Sequence, residues 1–304
     1  MKVNIDAFRV PARSRDPFGA HEPGDTRPFP SKQRAEAYLE QQLQRLLQLQ
    51  ERLYADGRHA LLIVLQGMDA GGKDSLIEHV MRGVNPQGIR VVSFKVPTEE
   101  DVAHDFLWRA AKALPRRGEI AVFNRSYYED VLVVRVHPEL LERQRLPRKA
   151  VGDDIWEERF EDICTFERHL AREGTVIRKV FLHLSKDEQR QRLLARLTDP
   201  TKNWKFEAKD LAERERWNAY MRAYRDALSA TSTRHAPWYA VPADHKWFAR
   251  AIVARMLVET LESLKLRFPE LPPRDRAAME RTVEALGGPH GAHGDRRRNR
   301  TLRG

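Results

Sequence analysis

The stretch LLIVLQGMDAGGKDS, residues 61–75, joins a short apolar run to a glycine-rich loop. The run LLIVLQ is continuous and ends at a glycine, which predicts a strand buried on both faces of a parallel sheet. The loop places Gly67, four residues, Gly72 and Lys73 in the spacing of a phosphate-binding loop. In such loops, backbone N–H groups and the lysine bind phosphate oxygens. This stretch therefore predicts an α/β protein with a phosphate site after its first strand.

Predicted strands and helices alternate along the rest of the chain. The further predicted strands are Ile89 to Val96, Glu119 to Phe123, Thr175 to Leu184 and Trp238 to Val241, and the predicted helices are Ser31 to Tyr54, Glu99 to Leu114, Asp153 to Arg172, Lys186 to Leu197, a long helix ending near Leu228 and His245 to Leu266. Helices of this length between strands predict a parallel sheet of about five strands, covered on both faces. The expected fold class is a three-layer α/β/α arrangement.

Composition predicts three segments. Residues 1–30 mix prolines and glycines with few apolar positions, which predicts an extended N-terminal arm on the surface without regular structure. Residues 31–268 contain all the predicted strands and form the main expected domain. Residues 269–304 form a C-terminal extension, and its end is rich in glycine and arginine and is expected to be disordered.

The chain is basic, with 54 Lys and Arg against 44 Asp and Glu, a formal net charge of +10. The tail from Gly287 carries five arginines and one aspartate, so the rest of the chain has about +6. This charge indicates a polyanionic partner. A nucleic-acid-binding protein is one interpretation, but the sequence shows no recognition helix, zinc finger or RNA-binding signature. We therefore expect no specific nucleic-acid partner.

Several classes of protein are excluded by composition. Hydrophobic residues make up 41% of the chain, enough to form a core. The longest apolar run, Ala60 to Leu65, is far shorter than the roughly 20 residues of a membrane-spanning helix. Cys164 is the single cysteine, so an internal disulfide is excluded. We expect no membrane partner and a location in the reducing cytoplasm.

The residue after Lys73 departs from the usual phosphate-binding loop. That position normally carries a serine or threonine whose hydroxyl binds magnesium, whereas here it is Asp74, followed by Ser75. Asp69, within the loop, is the candidate for the missing magnesium ligand; the alternative is an aspartate that caps the turn. Asp74 would lie in the first helical turn, where an acid complements the helix dipole.

A second group of polar residues follows the third strand, in IAVFNRSYYEDVLVVRVH, residues 120–137. Enzymes with a phosphate-binding loop often have a magnesium-binding acid at the carboxyl end of a neighbouring strand, and this chain has Asn124 at that position. Glu129 and Asp130 are the nearest acids that could replace it. Arg125, at the carboxyl end of a strand beside the loop, is expected to bind phosphate. For Arg135 a surface salt bridge is an equally good interpretation.

These segments resemble the polyphosphate kinase 2 family. The family's loop pattern is GxDxxGK, and its second motif is D-R-S; one branch, class III, has N-R-S followed by E-D-V-L-V, as found here. The resemblance continues through Phe94 to Arg109, Phe181 to Leu197, Asp199 to Phe206 and Ala236 to Arg250, and covers about residues 30–265. It implies a thymidylate-kinase-like P-loop kinase fold with a helical lid at about residues 198–228.

The resemblance also implies a reaction, namely transfer of the terminal phosphoryl group of inorganic polyphosphate to ADP and AMP, which forms ATP. Mg²⁺ is the implied cofactor, with Mn²⁺ as an alternative ion, and a homo-oligomer is the implied assembly. The implied catalytic residues are Asp69, Lys73 and Arg125, with Asp69 as the metal ligand. The implied phosphate and polyphosphate contacts are Gly67, Ala70, Gly71, Gly72, Asp74, Ser75, Lys95, Arg125, Arg196, Lys202 and Lys205, and the implied nucleotide contacts are Asn124, Ser126, Glu129, Asp130 and Trp204.

A polyphosphate donor needs a track of positive charge, because each unit carries about one negative charge. Cations cluster in the segment after the fourth strand, at Arg190, Arg192, Arg196, Lys202 and Lys205. Arg190 fits an ordinary solvated helix face, whereas Lys202 and Lys205 lie at a helix break, where mobile lids hinge. Trp204 could stack on a base or pack the lid, and the sequence leaves both open.

The predicted mechanism is in-line transfer without a phosphoenzyme. The acceptor phosphate of AMP or ADP is already ionised, so a general base is not required and His137 and His183 are expected to be packing groups. An ATP-dependent nucleoside-monophosphate kinase is the alternative within the same fold. A noncatalytic polyphosphate-binding protein is disfavoured because Lys73 and Asp69 are both present.

Overall fold

The structure, a computed structural model, describes residues 3–19 and 21–287. Its regular elements fall into two compact units, Met1–Arg267 and Phe268–Gly304. The first unit contains β1 (Ala60–Gly67), β2 (Ile89–Ser93), β3 (Ile120–Asn124), β4 (Thr175–His183) and β5 (Trp238–Pro242), with α1 (Lys32–Asp56), α2 (Lys73–Val80), α3 (Glu99–Val102), α4 (Trp108–Lys112), α5 (Glu129–Val136), α6 (Pro138–Arg143), α7 (Ile155–Arg172), α8 (Lys186–Thr198), α9 (Asp210–Glu215), α10 (Trp217–Thr231) and α11 (Lys246–Ser263). The second unit contains α12 (Pro273–Ala285).

The sheet is parallel and has the strand order β2-β3-β1-β4-β5. β1 is central and buried along its whole length, as its continuous apolar sequence predicts. It pairs with β3 in a register that sets Leu65 opposite Asn124, and with β4 so that Gly67 lies opposite Leu182. The carboxyl ends of the three central strands therefore meet at one edge, where open α/β sheets bind ligands.

Two apolar layers cover the faces of the sheet. On one face, Leu61, Ile63 and Leu65 of β1 pack with α1, α2 and α11. On the other face, Leu62 and Val64 pack with α5, α7 and α10. Because alternate side chains of one strand enter opposite layers, the predicted three-layer α/β fold is confirmed.

Local hydrogen bonds explain where the helix predictions succeed and fail. α1 begins after the predicted cap Ser31, whose Oγ accepts from Arg34 N, and ends at Gly57 with φ +62°. The predicted helix Glu99 to Leu114 is wrong, since two short helices, α3 and α4, occupy this segment. Asp105 Oδ1 accepts from Leu107 N between them and starts a new turn.

The long helix predicted to end near Leu228 is divided at Arg216 into α9 and α10. Residues 200–209 of the predicted lid are all exposed. By contrast, α10 buries Trp217, Tyr220 and Tyr224 against the core. The exposed part of the predicted lid is thus the segment before α10.

The expectation that the N-terminal arm lacks regular structure is wrong at Ile5–Phe8, which form a 3₁₀ turn. Val10 N then donates to Trp238 O at the edge of the sheet, 2.9 Å away. The buried side chains of the arm include Phe18 and Phe29. The apolar residues between the prolines thus cover the core rather than lie on its surface.

The predicted disorder of the arginine-rich tail concerns residues 288–304, which lie outside the described residues. Within the described part of the chain, no helix is long and apolar enough to cross a membrane. The predicted strand Ile89 to Val96 ends earlier, at Ser93, and the other predicted strands match the structure to within one residue. Strand ends of this kind are set by tertiary contacts that periodicity does not report.

A buried ion pair lies beneath the carboxyl edge of the sheet. Lys179 Nζ of β4 lies 2.6 Å from Glu167 Oε2 of α7, and both side chains are fully buried. Tyr127 OH donates to Glu167 Oε1 at 2.9 Å, and Lys179 Nζ donates to Tyr128 OH at 2.9 Å and to Thr231 O at 2.8 Å. Burial lowers the pKa of Lys179 and raises that of Tyr127. The network joins α7, β4, α10 and the segment that starts α5.

We predict that Lys179→Met destabilises the protein by about 3–5 kcal/mol, because it leaves the Glu167 carboxylate buried without its cation. Urea unfolding followed by circular dichroism measures the change. The exposed Lys149→Met is the control and should stay within about 0.5 kcal/mol of the wild type. Equal midpoints for the two variants would show that the pair contributes nothing.

Candidate functional site

The glycine-rich loop connects β1 to α2 through backbone angles that favour glycine. Gly67 and Gly72 have φ of +157° and +95°. Gly71 N donates to Met68 O at 2.9 Å, and a Cβ on Gly71 would lie 2.7 Å from that same oxygen. The loop is therefore a tight turn in which the backbone of residues 68–72 is closely packed and the N-terminus of α2 follows at once.

Lys73 is half-buried at the first position of α2. Its Nζ donates to Gly67 O at 2.7 Å and to Met68 O at 3.2 Å, so the ammonium lies inside the curve of the loop. Burial lowers the pKa of Lys73, and the neighbouring Arg125 lowers it further, while Asp69 opposes the change. A cation in this position can neutralise phosphate oxygens held by the loop.

Asp69 and Arg125 connect the loop to the end of β3. Arg125 Nη2 donates to Asp69 Oδ1 at 2.8 Å, and Arg125 Nη1 lies 3.7 Å from Glu129 Oε2. Arg125 has a left-handed backbone with φ +62°, as does Ala70 of the loop with φ +59°. Such conformations cost free energy for side chains other than glycine and cluster at functional sites. The structure thus brings the three predicted catalytic residues together.

Asn124 ends β3 and contacts the start of α2. Its Nδ2 donates to Asp74 Oδ1 at 2.5 Å. A carboxylate therefore lies beside the end of β3, and it belongs to Asp74 of α2. Glu129 and Asp130, the predicted substitutes for the acid missing at Asn124, both line the cavity described below. The contact between Asn124 and Asp74 spans 50 residues and therefore leaves no local signal in the sequence.

Ser126 and Asp130 differ in their access to ligands. Ser126 is fully buried, and its Oγ accepts from Tyr128 N at 3.1 Å and from Gln66 Nε2 at 3.2 Å. It supports the turn after β3 and is not among the residues that line the cavity beside the loop. Asp130 accepts from Gln144 Nε2 at 2.7 Å, and burial raises the pKa of its carboxyl group.

A cavity of about 370 Å³ opens beside the loop, which is the size of a small-molecule site. The predicted residues that line it are Gly67, Asp69, Lys95, Arg125, Glu129 and Asp130. Phe94, Val133, Leu140 and Tyr224 supply apolar and aromatic wall, and Arg109, Arg143 and Lys209 add cations. This mixture suits a ligand with an aromatic base and phosphate groups.

The predicted lid contacts His137 at one corner of this cavity. Glu213 Oε2 of α9 lies 3.0 Å from His137 Nε2 and accepts from Tyr220 OH at 2.6 Å. All three residues line the cavity. His137, predicted to be a packing group, thus also lines the cavity. Tyr220 has no distinctive sequence signal, because an aromatic residue on an amphipathic helix is most often part of the core.

The predicted lid cations lie outside the cavity lining. Arg196 Nη1 donates to Asp210 Oδ2 at 2.9 Å, and Lys202 Nζ lies 2.6 Å from Asp199 Oδ2. Lys205 Nζ lies 4.9 Å from the ring centre of Trp204, whose side chain is 77% exposed. The Trp204 ring thus does not pack in the core.

Two residues of α8 hold the loop by its carbonyl groups. Arg192 Nη1 donates to Ala70 O and Gly71 O, both at 3.1 Å, while its Nη2 donates to Asp244 O at 2.9 Å. Gln189 Nε2 donates to Asp69 O at 3.0 Å. These hydrogen bonds bind the carbonyl groups of residues 69–71 and fix the loop against α8. The sequence marks Arg192 only as one cation of a basic cluster, and no motif marks Gln189.

A parallel sheet with a glycine-rich loop and lysine after its central strand defines a P-loop phosphotransferase fold. The model of the family Polyphosphate kinase 2 matches residues 30–269. An ADP-polyphosphate phosphotransferase of Rhodopseudomonas palustris is 50% identical over 281 residues, which are 92% of this chain and 97% of that protein. The chain belongs to the polyphosphate kinase 2 family.

Two further proteins support this assignment. An AMP/ADP-polyphosphate phosphotransferase of Meiothermus ruber is 49% identical over 264 residues, which are 86% of this chain and 95% of that protein. The crystal structure of polyphosphate kinase 2 from Arthrobacter aurescens TC1 superposes with a TM-score of 0.81 at 41% identity, and covers 91% of this chain and 95% of that one. The resemblance described from the two motifs is thereby confirmed over most of the chain.

Gly71→Ala should weaken binding of inorganic tripolyphosphate by about tenfold or more, because the new Cβ must push Met68 O away and open the loop. Isothermal titration calorimetry measures the affinity. Gly152→Ala is the matched control, since a Cβ there meets nothing within 4 Å and φ is not positive. Equal affinities for the two variants would contradict this requirement for glycine.

Proposed function

We propose that this protein transfers the terminal phosphoryl group of inorganic polyphosphate to ADP and to AMP, forming ATP. The observation that carries the proposal is the phosphate loop with Lys73, next to a cavity of about 370 Å³ that Asp69 and Arg125 line. The names of the relatives from Rhodopseudomonas palustris and Meiothermus ruber support the donor and the acceptors. Because the N-R-S motif resembles that of class III members, we include AMP as well as ADP.

The loop would hold the terminal phosphate of the donor, and the cavity would hold the acceptor. Lys73 and Arg125 lie where they can balance charge that develops on the transferred group. The acceptor phosphate is ionised at neutral pH, so the reaction needs positioning and charge rather than a general base. Transfer would be in line, directly from donor to acceptor.

At the end of β3, this chain has the amide of Asn124, and the nearby carboxylate is that of Asp74 in α2. The Asn124 amide donates to Asp74, so the carboxylate at this point faces an amide rather than a second acid. Glu129 is held near Arg125, although burial raises the pKa of its carboxyl group. We propose that Asn124, together with Glu129 or Asp130, helps to place the nucleotide or its metal, and that Ser126 acts indirectly by fixing the turn.

A divalent metal belongs to the same proposal. In phosphoryl-transfer sites Mg²⁺ is held by one or two carboxylates together with substrate phosphates and water. The Asp69 side chain is 32% exposed and lines the cavity, which fits such a set of donors. Among the described residues, no group of three or more His, Cys, Asp or Glu side chains could hold a metal ion alone. We assign Mg²⁺ or Mn²⁺ to Asp69 and the phosphates, where the ion neutralises phosphate charge.

The cytoplasmic location and the homo-oligomer stay predictions from the sequence and from the resemblance. The lid cations Lys202 and Lys205 also stay candidates for the polyphosphate track. Lys202 is already paired with Asp199, so we expect Lys205 to contribute more.

The first test is ATP formation by the purified protein with Mg²⁺, long-chain polyphosphate and either ADP or AMP. We expect ATP from both acceptors, measured by luciferase light output, and none when polyphosphate is omitted. An ATP-dependent nucleoside-monophosphate kinase would instead convert ATP and AMP to ADP and ignore polyphosphate. That result would overturn the proposed donor.

Asp69→Asn and Lys73→Met should each lower kcat by at least about 100-fold, because each removes a charge that acts on the transferred phosphoryl group. Thermal unfolding should change little, since the Asp69–Arg125 pair is partly exposed and contributes about 0–1 kcal/mol. Arg116→Ala, at the amino end of β3 and thus at the opposite edge of the sheet, is the control. Near-normal turnover in either loop variant would refute its catalytic assignment.

A further inference from the structure

The glycine-rich loop contains a four-residue turn, residues 68–71, that places an alanine where glycine is favoured. Gly71 N donates to Met68 O at 2.9 Å and closes the turn. Ala70, its third residue, has φ +59°, whereas Asp69, its second, is not among the described residues with positive φ. A negative φ followed by a positive one is the pattern of a type II turn, which favours glycine at the third position.

A type I turn could join the same four residues without a positive φ. The two turn types differ mainly by a rotation of the central peptide group through about 180°, and here this group consists of Asp69 C=O and Ala70 N–H. The left-handed conformation is unfavourable for alanine, so Ala70 by itself favours the type I turn. Contacts from outside the turn must therefore hold the central peptide group in the observed orientation.

Gln189 of α8 supplies such a contact. Its Nε2 donates to Asp69 O at 3.0 Å, and the residue is only 2% exposed. Because a peptide group is planar, a bond to this carbonyl also fixes the direction of the Ala70 N–H. In a type I turn the Asp69 oxygen would point away from Gln189 and leave its Nε2 without this acceptor. Arg192 binds the carbonyl groups of Ala70 and Gly71, which belong to other peptide groups.

Arg214 of α9 determines the orientation of the Gln189 amide. Its Nη1 donates to Gln189 Oε1 at 2.9 Å and to Lys186 O at 2.7 Å. A guanidinium only donates hydrogen bonds, whereas a backbone carbonyl only accepts them. The amide therefore fits between the two in one orientation, with Oε1 on Arg214 and Nε2 on Asp69. Since α9 lies in the predicted lid, these hydrogen bonds connect the lid to the turn.

We infer that Arg214 is a positioning residue, which acts through Gln189 to keep the turn at Asp69 in its phosphate-binding form. The inference rests on the proposed function, in which the loop backbone binds the donor phosphate and Asp69 binds the metal. When Arg214 leaves Gln189, the amide loses the contact that orients it and the central peptide group can rotate. Donor binding then depends on the contact between α9 and α8 as well as on the loop itself.

The test combines Arg214→Leu with Ala70→Gly, because glycine adopts the left-handed conformation without strain. With Ala70 present, Arg214→Leu should lower kcat for polyphosphate and ADP by about tenfold and weaken tripolyphosphate binding by about fivefold. In the Ala70→Gly background, the same substitution should change both quantities by less than about twofold. KM for ADP should stay within about twofold in both backgrounds. Gln189→Leu should give the same pattern, since it removes the link between Arg214 and the turn.

Arg222→Leu is the matched control, because Arg222 is an exposed cation of α10 without a hydrogen bond or ion pair to the described part of the chain. It should leave both quantities unchanged in both backgrounds. Isothermal titration calorimetry measures tripolyphosphate binding without turnover, so a lack of ATP would refute the proposed function while the binding comparison still decides the inference.

Two results would overturn the inference. Equal losses from Arg214→Leu in the two backgrounds would show that the residue does not act through the turn, and no loss with Ala70 present would show that the turn does not need it. Thermal unfolding shows whether each variant is folded. If Arg214→Leu does not fold, the same comparison with Gln189→Leu decides.

Discussion

The position of β1 is the constraint on which the site depends. Both edges of this strand are hydrogen-bonded and both faces are buried, so its carboxyl end is fixed in the middle of the sheet. The glycine-rich loop must begin there, next to the end of β3, whose register places Asn124 beside Leu65. The contacts of Asp69 with Arg125 and of Asn124 with Asp74 follow from this alignment. An apolar strand thus determines where the charged groups meet.

Charge is divided between the two sides of the loop. On the cavity side, Asp69 and Glu129 accompany Arg125, so positive and negative groups alternate where a metal-bound nucleotide would lie. On the opposite side, Lys246 and Arg250 line a narrow cleft against the loop, and none of the residues that line this cleft is acidic. A phosphotransferase must distinguish a donor from an acceptor that both carry phosphate. In this protein, the apolar and aromatic wall of the large cavity is the feature that suits a nucleotide acceptor.

Much of the fold could be predicted from the sequence, because buried parallel strands leave continuous apolar runs and amphipathic helices leave periodic ones. The motif residues Lys73 and Arg125 could be placed for the same reason, since Arg125 directly follows β3 and Lys73 ends the loop that follows β1. The break near Asp105 and the burial of Ser126 could not, because both depend on hydrogen bonds whose partners periodicity does not show. Arg192 was visible as a cation, but its carbonyl acceptors lie about 120 residues away along the chain.

The hydrogen bonds of Arg192 also limit which part of the chain could move with the predicted lid. They fasten the middle of α8 to the loop on one side and to the segment after β5 on the other. The part of α8 up to Arg192 is therefore held in place. Beyond it, Asp199 ends the helix and the exposed residues 200–209 follow. We expect opening and closing of the predicted lid to bend the chain at the last turn of α8, while the glycine-rich loop keeps its position.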